Sequence, residues 1–255
     1  MQKISLFVKS ISFLGVLGFL LMTSTLSCTK TTETIDQNTL EQYYPLIPGK
    51  YIKYNVDSLE YTNFGKDSVR RFCQVMMQVD SQIMDNTGVP VYRIFRYERP
   101  DSTSPWIPQG TLAATNTKRT IVYTENNLKY IKLQFPVEEY NSWKGNMYLD
   151  SFISRNYDYQ YLLDWDYYYS NIGESIQFGN ETVNDIITVN QRNEVLGYPE
   201  SPNDISTITL AYEKYAKGIG MVYKKFKYRL VDQQNCACVN NDVSYEVVFT
   251  MYEHN

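Results

Sequence analysis

The chain has 255 residues, and its 24 lysine and arginine residues against 28 aspartate and glutamate residues give a formal net charge of −4 at pH 7. A deficit of basic residues argues against nucleic acid and against an anionic membrane surface as partners, because both are bound through basic patches. The single histidine, His254, argues against a histidine-based triad and against a histidine-rich metal site.

The first 28 residues have the pattern of a secretory signal. Lys3 and Lys9 precede an apolar run at 11–22, which is shorter than the roughly 20 residues that span a bilayer. Leu26-Ser27-Cys28 resembles the lipobox of bacterial lipoproteins, and the following Thr29-Lys30 adds to a resemblance to lipoproteins of the Bacteroidota. The resemblance implies cleavage before the cysteine and a diacylglycerol on Cys28. The alternative is a secreted protein that is cleaved nearby and leaves Cys28 unmodified.

This resemblance divides the chain into three parts. Residues 1–27 are the expected signal peptide, residues 28–42 a polar and flexible tether, and residues 43–255 a single folded domain. A lipid anchor of this kind implies the outer membrane. The acidic cluster of surface-exposed Bacteroidota lipoproteins is reduced here to Glu33 and Asp36, so we expect the periplasmic face rather than the cell surface.

The folded domain is predicted to be all-β. A short helical turn is expected at 38–45, and a proline–glycine turn then leads into a first strand at 51–54. Residues 67–85 alternate apolar and polar side chains, and the turn at 86–88 predicts a hairpin with 89–98. Further strands are predicted at 112–124, 128–135, 148–153, 157–161, 175–178, 182–191, 205–213, 221–231 and 243–252.

Ten to twelve strands in hairpin order predict a single antiparallel sheet with few short helices. The sheet is expected to be strongly curved or closed, as a half-barrel, a barrel or a sandwich, because long open edges invite aggregation. The segment Tyr215-Ala-Lys-Gly-Ile-Gly220, which precedes one strand, resembles a segment of Bacteroidota lipoproteins of uncharacterised function. In those proteins its glycines lie where a strand bends over the sheet.

Three further cysteines, Cys73, Cys236 and Cys238, leave two possibilities open. An oxidising periplasm permits a disulfide between Cys73 and one of the other two, and otherwise the thiols are free. A structural zinc site needs four nitrogen or sulfur ligands, and the candidates are scattered along the chain. We therefore expect neither a metal nor a cofactor.

The stretch 155–169 concentrates six tyrosines, one tryptophan and three aspartates. The spacing of the tyrosines at 157, 159 and 161 predicts a strand with its rings on one face, and 164–169 is expected to form a loop or bend. Rings of an exposed loop can stack on a ligand while carboxylates accept its hydrogen bonds. The alternative is ordinary cross-strand tyrosine pairing. The ligand-binding candidates are Asp164, Trp165, Asp166 and Tyr168.

The sequence contains no recognisable nucleophile, zinc-protease or phosphate-loop motif. It predicts a non-enzymatic envelope lipoprotein whose aromatic-rich sheet, drawn from 24 tyrosines, 11 phenylalanines and 3 tryptophans, binds a hydrophobic molecule, a glycan or a partner protein. The alternative is a carboxylate-dependent hydrolase of envelope or dietary glycans. Its acids would be Asp164 with Asp166, or Glu138 with Glu139, and it requires converging carboxylates with one raised pKa.

Overall fold

The structure is a computed structural model that describes residues 39–62, 67–149, 157–201, 205–232 and 244–255. These ranges contain one α-helix, α1 (Thr39–Tyr43), one 3-10 helix (Tyr157–Leu162) and twelve strands. The strands are β1 (Tyr51–Thr62), β2 (Asp67–Met84), β3 (Pro90–Arg99), β4 (Ile107–Asn116), β5 (Thr120–Glu125), β6 (Leu128–Gln134), β7 (Ser142–Lys144), β8 (Asp166–Phe178), β9 (Glu181–Leu196), β10 (Ile205–Ala216), β11 (Gly220–Asp232) and β12 (Tyr245–His254). Neither helix is long and apolar enough to cross a bilayer.

All twelve strands belong to one antiparallel sheet. Its order is β6-β5-β4-β3-β2-β1-β12-β11-β10-β9-β8-β7, so two six-stranded meanders join where β1 pairs with β12. The hairpins predicted around residues 86–88 and 179–180 are present as β2–β3 and β8–β9. The prediction of a single antiparallel sheet is confirmed.

The two end strands, β6 and β7, approach each other and nearly close the sheet into a barrel. The backbone N–H of Ile131 donates to the carbonyl of Gly145 at 2.8 Å, and the indole Nε1 of Trp143 donates to the carbonyl of Ile131 at 2.8 Å. The hydroxyl of Tyr169 on β8 adds a hydrogen bond of 2.9 Å to the carbonyl of Gln134. These contacts satisfy polar groups that an open sheet edge would expose.

The alternation of side chains along each strand places one set of residues inside the curved sheet. On β10, for example, Ala211, Glu213 and Tyr215 are each about 1% exposed, while the residues between them face outward. The buried hydrophobic residues run from Leu40 to Met251 and fall within the compact unit Gln37–Asn255. This unit therefore contains its own hydrophobic core, which is what a chain needs in order to fold independently.

The helix α1 covers one end of the sheet. Its Leu40 is fully buried, and the carbonyl of Gln42 accepts a hydrogen bond of 2.7 Å from the backbone N–H of Gly218 in the β10–β11 turn. The side chain of Asn116, at the end of β4, donates to Glu41 at 3.2 Å. The short helix predicted near residues 38–45 is present, and it occupies the last residues of the segment interpreted as a tether.

The tyrosine-rich stretch differs from its prediction. Residues 157–162 form a 3-10 helix rather than a strand, and β8 begins at Asp166 where a loop was expected. The reason is local: Trp165 Nε1 donates to the carbonyl of Tyr161 at 2.6 Å, and Asn146 Nδ2 donates to the carbonyl of Leu162 at 2.7 Å. Because side chains satisfy these carbonyls, the segment needs no neighbouring strand.

Other boundaries differ where turns were not recognised. The strand predicted at 112–124 is interrupted by a turn at which Lys118 has a φ of 71°, so it forms parts of β4 and β5. Residues 148–149 form a turn rather than the start of a strand, and β7 occupies part of the turn expected at 143–146. Asn126 and Asn127 both have positive φ, which asparagine tolerates, and they close the predicted β5–β6 hairpin.

Candidate functional site

The curved sheet encloses a cavity of about 860 Å³. This volume lies within the range of roughly 300–1,000 Å³ that is usual for sites of small molecules. The cavity is lined by inward-facing residues of both meanders, including Val56 of β1, Ile94 of β3 and Phe226 of β11. The closed sheet thus produces an internal site, which a flat or open sheet would lack.

The cavity reaches the surface of the protein. Tyr44 and Pro45, which follow α1, line one part of it. Phe72 and Ile107 also line the cavity but are 65% and 51% exposed, respectively, so the cavity opens beside them. A ligand can therefore enter past these two side chains and extend toward α1.

Stacked aromatic rings form one wall of the cavity. The ring of Phe226 lies between Trp165, with centroids 6.1 Å apart, and Tyr245, with centroids 5.0 Å apart, and both pairs are nearly parallel. Burial raises the pKa of Tyr245 and of the neighbouring Tyr161 above the ordinary value of 10.0, so both phenols are neutral at physiological pH. The wall therefore presents uncharged ring faces.

Several tyrosine hydroxyls that reach the cavity are already bonded within the protein. Tyr54 donates to the carbonyl of Met221 at 2.8 Å, and Tyr167 donates to Asn146 Oδ1 at 2.8 Å. Since these hydroxyls have protein partners, the tyrosines offer their rings rather than free polar groups to a ligand.

A buried ion pair lies inside the cavity, between strands that are far apart in sequence. Glu213 of β10 is 1% exposed, and its carboxylate accepts hydrogen bonds of 2.6 Å from Lys132 Nζ on β6 and of 2.6 Å from the Tyr215 hydroxyl. Desolvation alone would raise the pKa of Glu213. The charges of Lys132 and Lys224 and the two hydrogen bonds outweigh it and hold that pKa below its usual 4.5, so the carboxylate is ionised.

Lys224 of β11 adds a second ammonium group to the same region. It lies directly opposite Glu213 in the β10–β11 ladder, and both side chains face the cavity. Its Nζ lies 5.7 Å from the ring centroid of Phe249, and no carboxylate of the described residues lies within 4.0 Å of it. Desolvation, followed by the nearby charge of Lys132, lowers the pKa of Lys224 below its ordinary 10.5.

Two further polar groups of the lining are buried without a hydrogen-bond partner among the described residues. They are Nε of Arg96 on β3 and Nε2 of Gln191 on β9. The terminal nitrogens of Arg96 contact Glu125 at 3.3 Å and Glu98 at 3.8 Å. Gln191 is 4% exposed, so its amide is shielded from bulk water.

The cavity is more basic than the chain as a whole. Six of its nine charged lining residues are lysine or arginine, although the chain has a net charge of −4. The basic lining residues are Lys50, Arg71, Arg96, Arg99, Lys132 and Lys224. The electrostatic environment of the cavity therefore favours an anionic ligand.

The four ligand-binding candidates of the tyrosine-rich stretch lie in different environments, one inside the cavity and three on the surface. Asp164 and Asp166 are exposed and both contact Lys144 Nζ, at 2.6 Å and 2.9 Å. Tyr168 is 40% exposed, on the outer side of β8. Trp165 is 2% exposed and lines the cavity. Trp165, just before β8, is buried, whereas Asp164, Asp166 and Tyr168 are exposed, so the four residues do not form one site.

The carboxylates considered for a hydrolase are all exposed, and Asp164 and Asp166 converge only on Lys144 Nζ at the surface. Glu138 and Glu139 are exposed, and Glu139 accepts a hydrogen bond of 2.9 Å from the backbone N–H of Ile172. Glu213 is the one carboxylate buried among the described residues, and its pKa is lowered rather than raised. A general acid of the glycosidase type needs a raised pKa.

Cys73 also lines the cavity, on β2, and forms no disulfide with a described residue. Burial, together with the nearby Glu98, raises the pKa of its thiol to about 11. The other cysteines, Cys28, Cys236 and Cys238, lie outside the described residues. Within the described ranges, no group of three histidine, cysteine, aspartate or glutamate side chains is placed to hold a metal ion.

Sequence reasoning missed the charged residues of the cavity, although a signal for one of them was available. Lys224 alternates with Val222, Phe226 and Tyr228, so it is a charge on the otherwise apolar face of a strand. Such a position predicts a buried charge, which requires a partner. The ion pair between Lys132 and Glu213 could not be predicted from such a pattern, because these two residues are 81 positions apart in sequence.

Comparison with known proteins adds two solved structures. No family model and no curated protein matches the chain. A protein from Bacteroides fragilis, described as exported and as having a YmcC-like fold, is 9% identical, with a TM-score of 0.39. A protein from Parabacteroides distasonis, described as a lipoprotein, is 11% identical, with a TM-score of 0.42. Each match covers 84% of this chain and 98% of the other. Neither description names a ligand or an activity.

Proposed function

We propose that this chain is a lipid-anchored envelope lipoprotein with a non-enzymatic role, and that it binds a hydrophobic or amphipathic molecule in the cavity of its sheet. The cavity of about 860 Å³ is the observation that carries the proposal. It is large enough for a small molecule, it reaches the surface, and its walls are mainly aromatic and aliphatic. The anchor follows from the lipobox-like residues that end at Cys28.

The hydrogen bonds of the wall favour an apolar ligand body over a glycan. A glycan exposes many hydroxyl groups, and each one that is buried without a partner is unfavourable. The hydroxyls of Tyr54, Tyr167 and Tyr215 are bonded within the protein and leave ring faces exposed to the cavity. Burial of an apolar ligand against these rings stabilises the complex by about 25 cal/mol per Å².

The hydrolase alternative has less support. The acids that line the cavity are Glu98 and Glu125, which both contact Arg96, and Glu213, which is ionised and bonded to Lys132 and Tyr215. A paired, ionised carboxylate is a poor proton donor.

The proposal is tested by titrating the 37–255 unit with a neutral apolar fluorophore, N-phenyl-1-naphthylamine. We expect saturable binding with one site per chain. Val56→Trp places a large ring inside the cavity. It should weaken binding by at least about tenfold, because the indole ring occupies volume that the ligand needs. Thr250→Trp, on the outward face of the neighbouring β12, is the matched control and should bind like the wild type.

Thermal melting of all three proteins establishes that each is folded. The absence of saturable binding by the folded wild-type protein would contradict the proposal. Equal affinities of the folded wild-type and Val56→Trp proteins would show that the fluorophore binds elsewhere, and would contradict it as well.

A further inference from the structure

Lys224 carries a positive charge that the protein does not pair directly. Its ladder partner Glu213 faces the same cavity, but the two carboxylate oxygens of Glu213 accept from Lys132 and from Tyr215, each at 2.6 Å. The groups nearest in their electrostatic effect on Lys224 are Lys132, Glu213, Glu125 and Arg96. Glu98, which contacts Arg96 at 3.8 Å, adds a third anion to this cluster, but the lining as a whole has six basic and three acidic residues, so the cavity keeps an excess of positive charge.

Gln191 supplies a second observation that points to a ligand. It is the additional residue of a β-bulge: in the β9–β10 ladder Arg192 pairs with Ala211 and Asn190 pairs with Tyr212, and Gln191 has no opposite residue. Alternation along β9 places Gln191 on the inner face together with Ile187 and Val189, which are both fully buried. The amide of Gln191 lines the cavity, is shielded from bulk water, and has no hydrogen-bond partner for Nε2 among the described residues.

Lys224 and Gln191 flank the same part of β10. Lys224 lies opposite Glu213 on one side, and Gln191 lies beside the Ala211–Tyr212 pair on the other. Two steps across a sheet separate the backbones of β9 and β11 by roughly 10 Å. Both side chains face the cavity, so an ammonium and an amide N–H can reach one ligand group from either side of β10.

We infer that the cavity selects an amphipathic molecule with a single carboxylate, and that Lys224 and Gln191 receive this carboxylate while the apolar body lies along the aromatic wall; the inference rests on the proposed ligand-binding function. A carboxylate has two oxygens, one for each donor. Its negative charge is complementary to the excess positive charge of the cavity lining. A phosphate monoester would bring a second negative charge close to Glu213 and Glu125.

Lys224 and the aromatic wall lie along the same strand. Lys224 is the fifth residue of β11, and Phe226 follows two residues later on the same face. Phe226 stacks on Tyr245. The apolar body of a ligand held at Lys224 can therefore lie past Phe226 and Tyr245.

The test compares dodecanoate with dodecanol, which share a chain length and differ in charge. Each displaces N-phenyl-1-naphthylamine from the 37–255 unit below its solubility limit. We expect the wild-type protein to prefer dodecanoate by about tenfold to a hundredfold, the range of a charge-assisted hydrogen bond. Lys224→Met should abolish most of this preference by weakening dodecanoate binding, and Lys224→Arg should restore part of it.

Two further variants locate the effect. Gln191→Leu should reduce the preference for dodecanoate by several-fold, since it removes one of two donors. Lys227→Met is the matched control, because Lys227 lies on the outward face of the same strand, 3.6 Å from Glu246, and does not line the cavity. It should retain the wild-type preference.

The outcomes separate the two proposals. If the folded protein binds neither compound nor the fluorophore, the proposed function fails, and this inference fails with it. If both compounds bind equally well, or if Lys224→Met keeps the preference, the ligand-binding function stands and the assignment of the carboxylate to Lys224 is wrong. Tighter binding of dodecyl phosphate than of dodecanoate would overturn the carboxylate as the ligand class.

Discussion

Glu213 shows how a charged residue is tolerated inside this sheet. Its carboxylate is 1% exposed and is neutralised by Lys132, which approaches from β6 on the other meander. A single buried charge is strongly unfavourable, whereas an ion pair with further hydrogen bonds largely offsets the loss of hydration. The charge of Glu213 is therefore part of the electrostatic balance that keeps both Lys132 and Lys224 in the cavity.

We expect Glu213→Gln to destabilise the protein by about 3–5 kcal/mol, because it leaves two ammonium groups inside the sheet without their counter-charge. The free energy of unfolding is measured by urea denaturation of the 37–255 unit. Glu253→Gln is the matched control. Glu253 pairs with Lys53 at 2.6 Å, but its side chain is 43% exposed, so its loss should change the free energy of unfolding by less than about 1 kcal/mol. Equal losses in the two variants would contradict the prediction.

The decrease in the free energy of unfolding that Glu213→Gln causes should depend on pH. Burial lowers the pKa of Lys224 below 10.5, so between the lowered value and 10.5 the unfolded chain binds more protons than the folded chain. The free energy of unfolding then rises with pH in that interval. Glu213 raises the pKa of Lys224, so its loss in the variant lowers that pKa further. The difference in the free energy of unfolding between the variant and the wild type should therefore be largest near neutral pH and shrink as the pH approaches 10.5.

The elements most important for the cavity are the end strands β6 and β7, because their contacts nearly close the sheet. Gly145, just after β7, accepts the hydrogen bond from Ile131, and its own N–H donates to the carbonyl of Trp165 at 3.2 Å. A Cβ atom at this position would lie 2.4 Å from the ring of Tyr167, which is buried and bonded to Asn146. Only glycine leaves room for the ring of Tyr167 at this position, beside the contact between β6 and β7.

Gly145→Ala should therefore lower the free energy of unfolding by about 1–3 kcal/mol, the usual effect of adding volume to a packed site. Urea denaturation of the 37–255 unit measures the change. Gly110→Ala in β4 is the control, because a Cβ atom there meets nothing within 4 Å and the residue lacks a positive φ. A Gly145→Ala variant as stable as the wild type would show that the ring of Tyr167 moves freely.

At the scale of the whole molecule, the proposed anchor and the proposed cavity are independent features. The cavity lies within the unit 37–255, and the anchor would be attached at Cys28, which is outside the described residues. We expect metabolic labelling with a palmitate analogue to mark the wild-type protein and not Cys28→Ala, while Cys236→Ala keeps the label. Persistent labelling of Cys28→Ala would contradict lipidation at that cysteine.

Most of the fold could be predicted, because strands and hairpins depend on local patterns. The alternation in residues 67–85 and the turn dipeptide Gly179-Asn180 indicate β2 and the β8–β9 hairpin directly. The 3-10 helix at 157–162 could not be predicted, because its tyrosine spacing equals that of a strand. Its carbonyls are satisfied by Asn146 and Trp165, contacts that exist only in the folded protein.

The sequence by itself determined that the chain forms a curved antiparallel sheet, since side-chain alternation and turn residues act over a few neighbouring positions. Only the tertiary structure decided that the sheet encloses a cavity, and which side chains face it. The pairing of β1 with β12 and the contact between Ile131 and Gly145 bring distant strands together. They place Lys132 beside Glu213, inside the curved sheet. Such an arrangement depends on register and closure, which the local pattern does not encode.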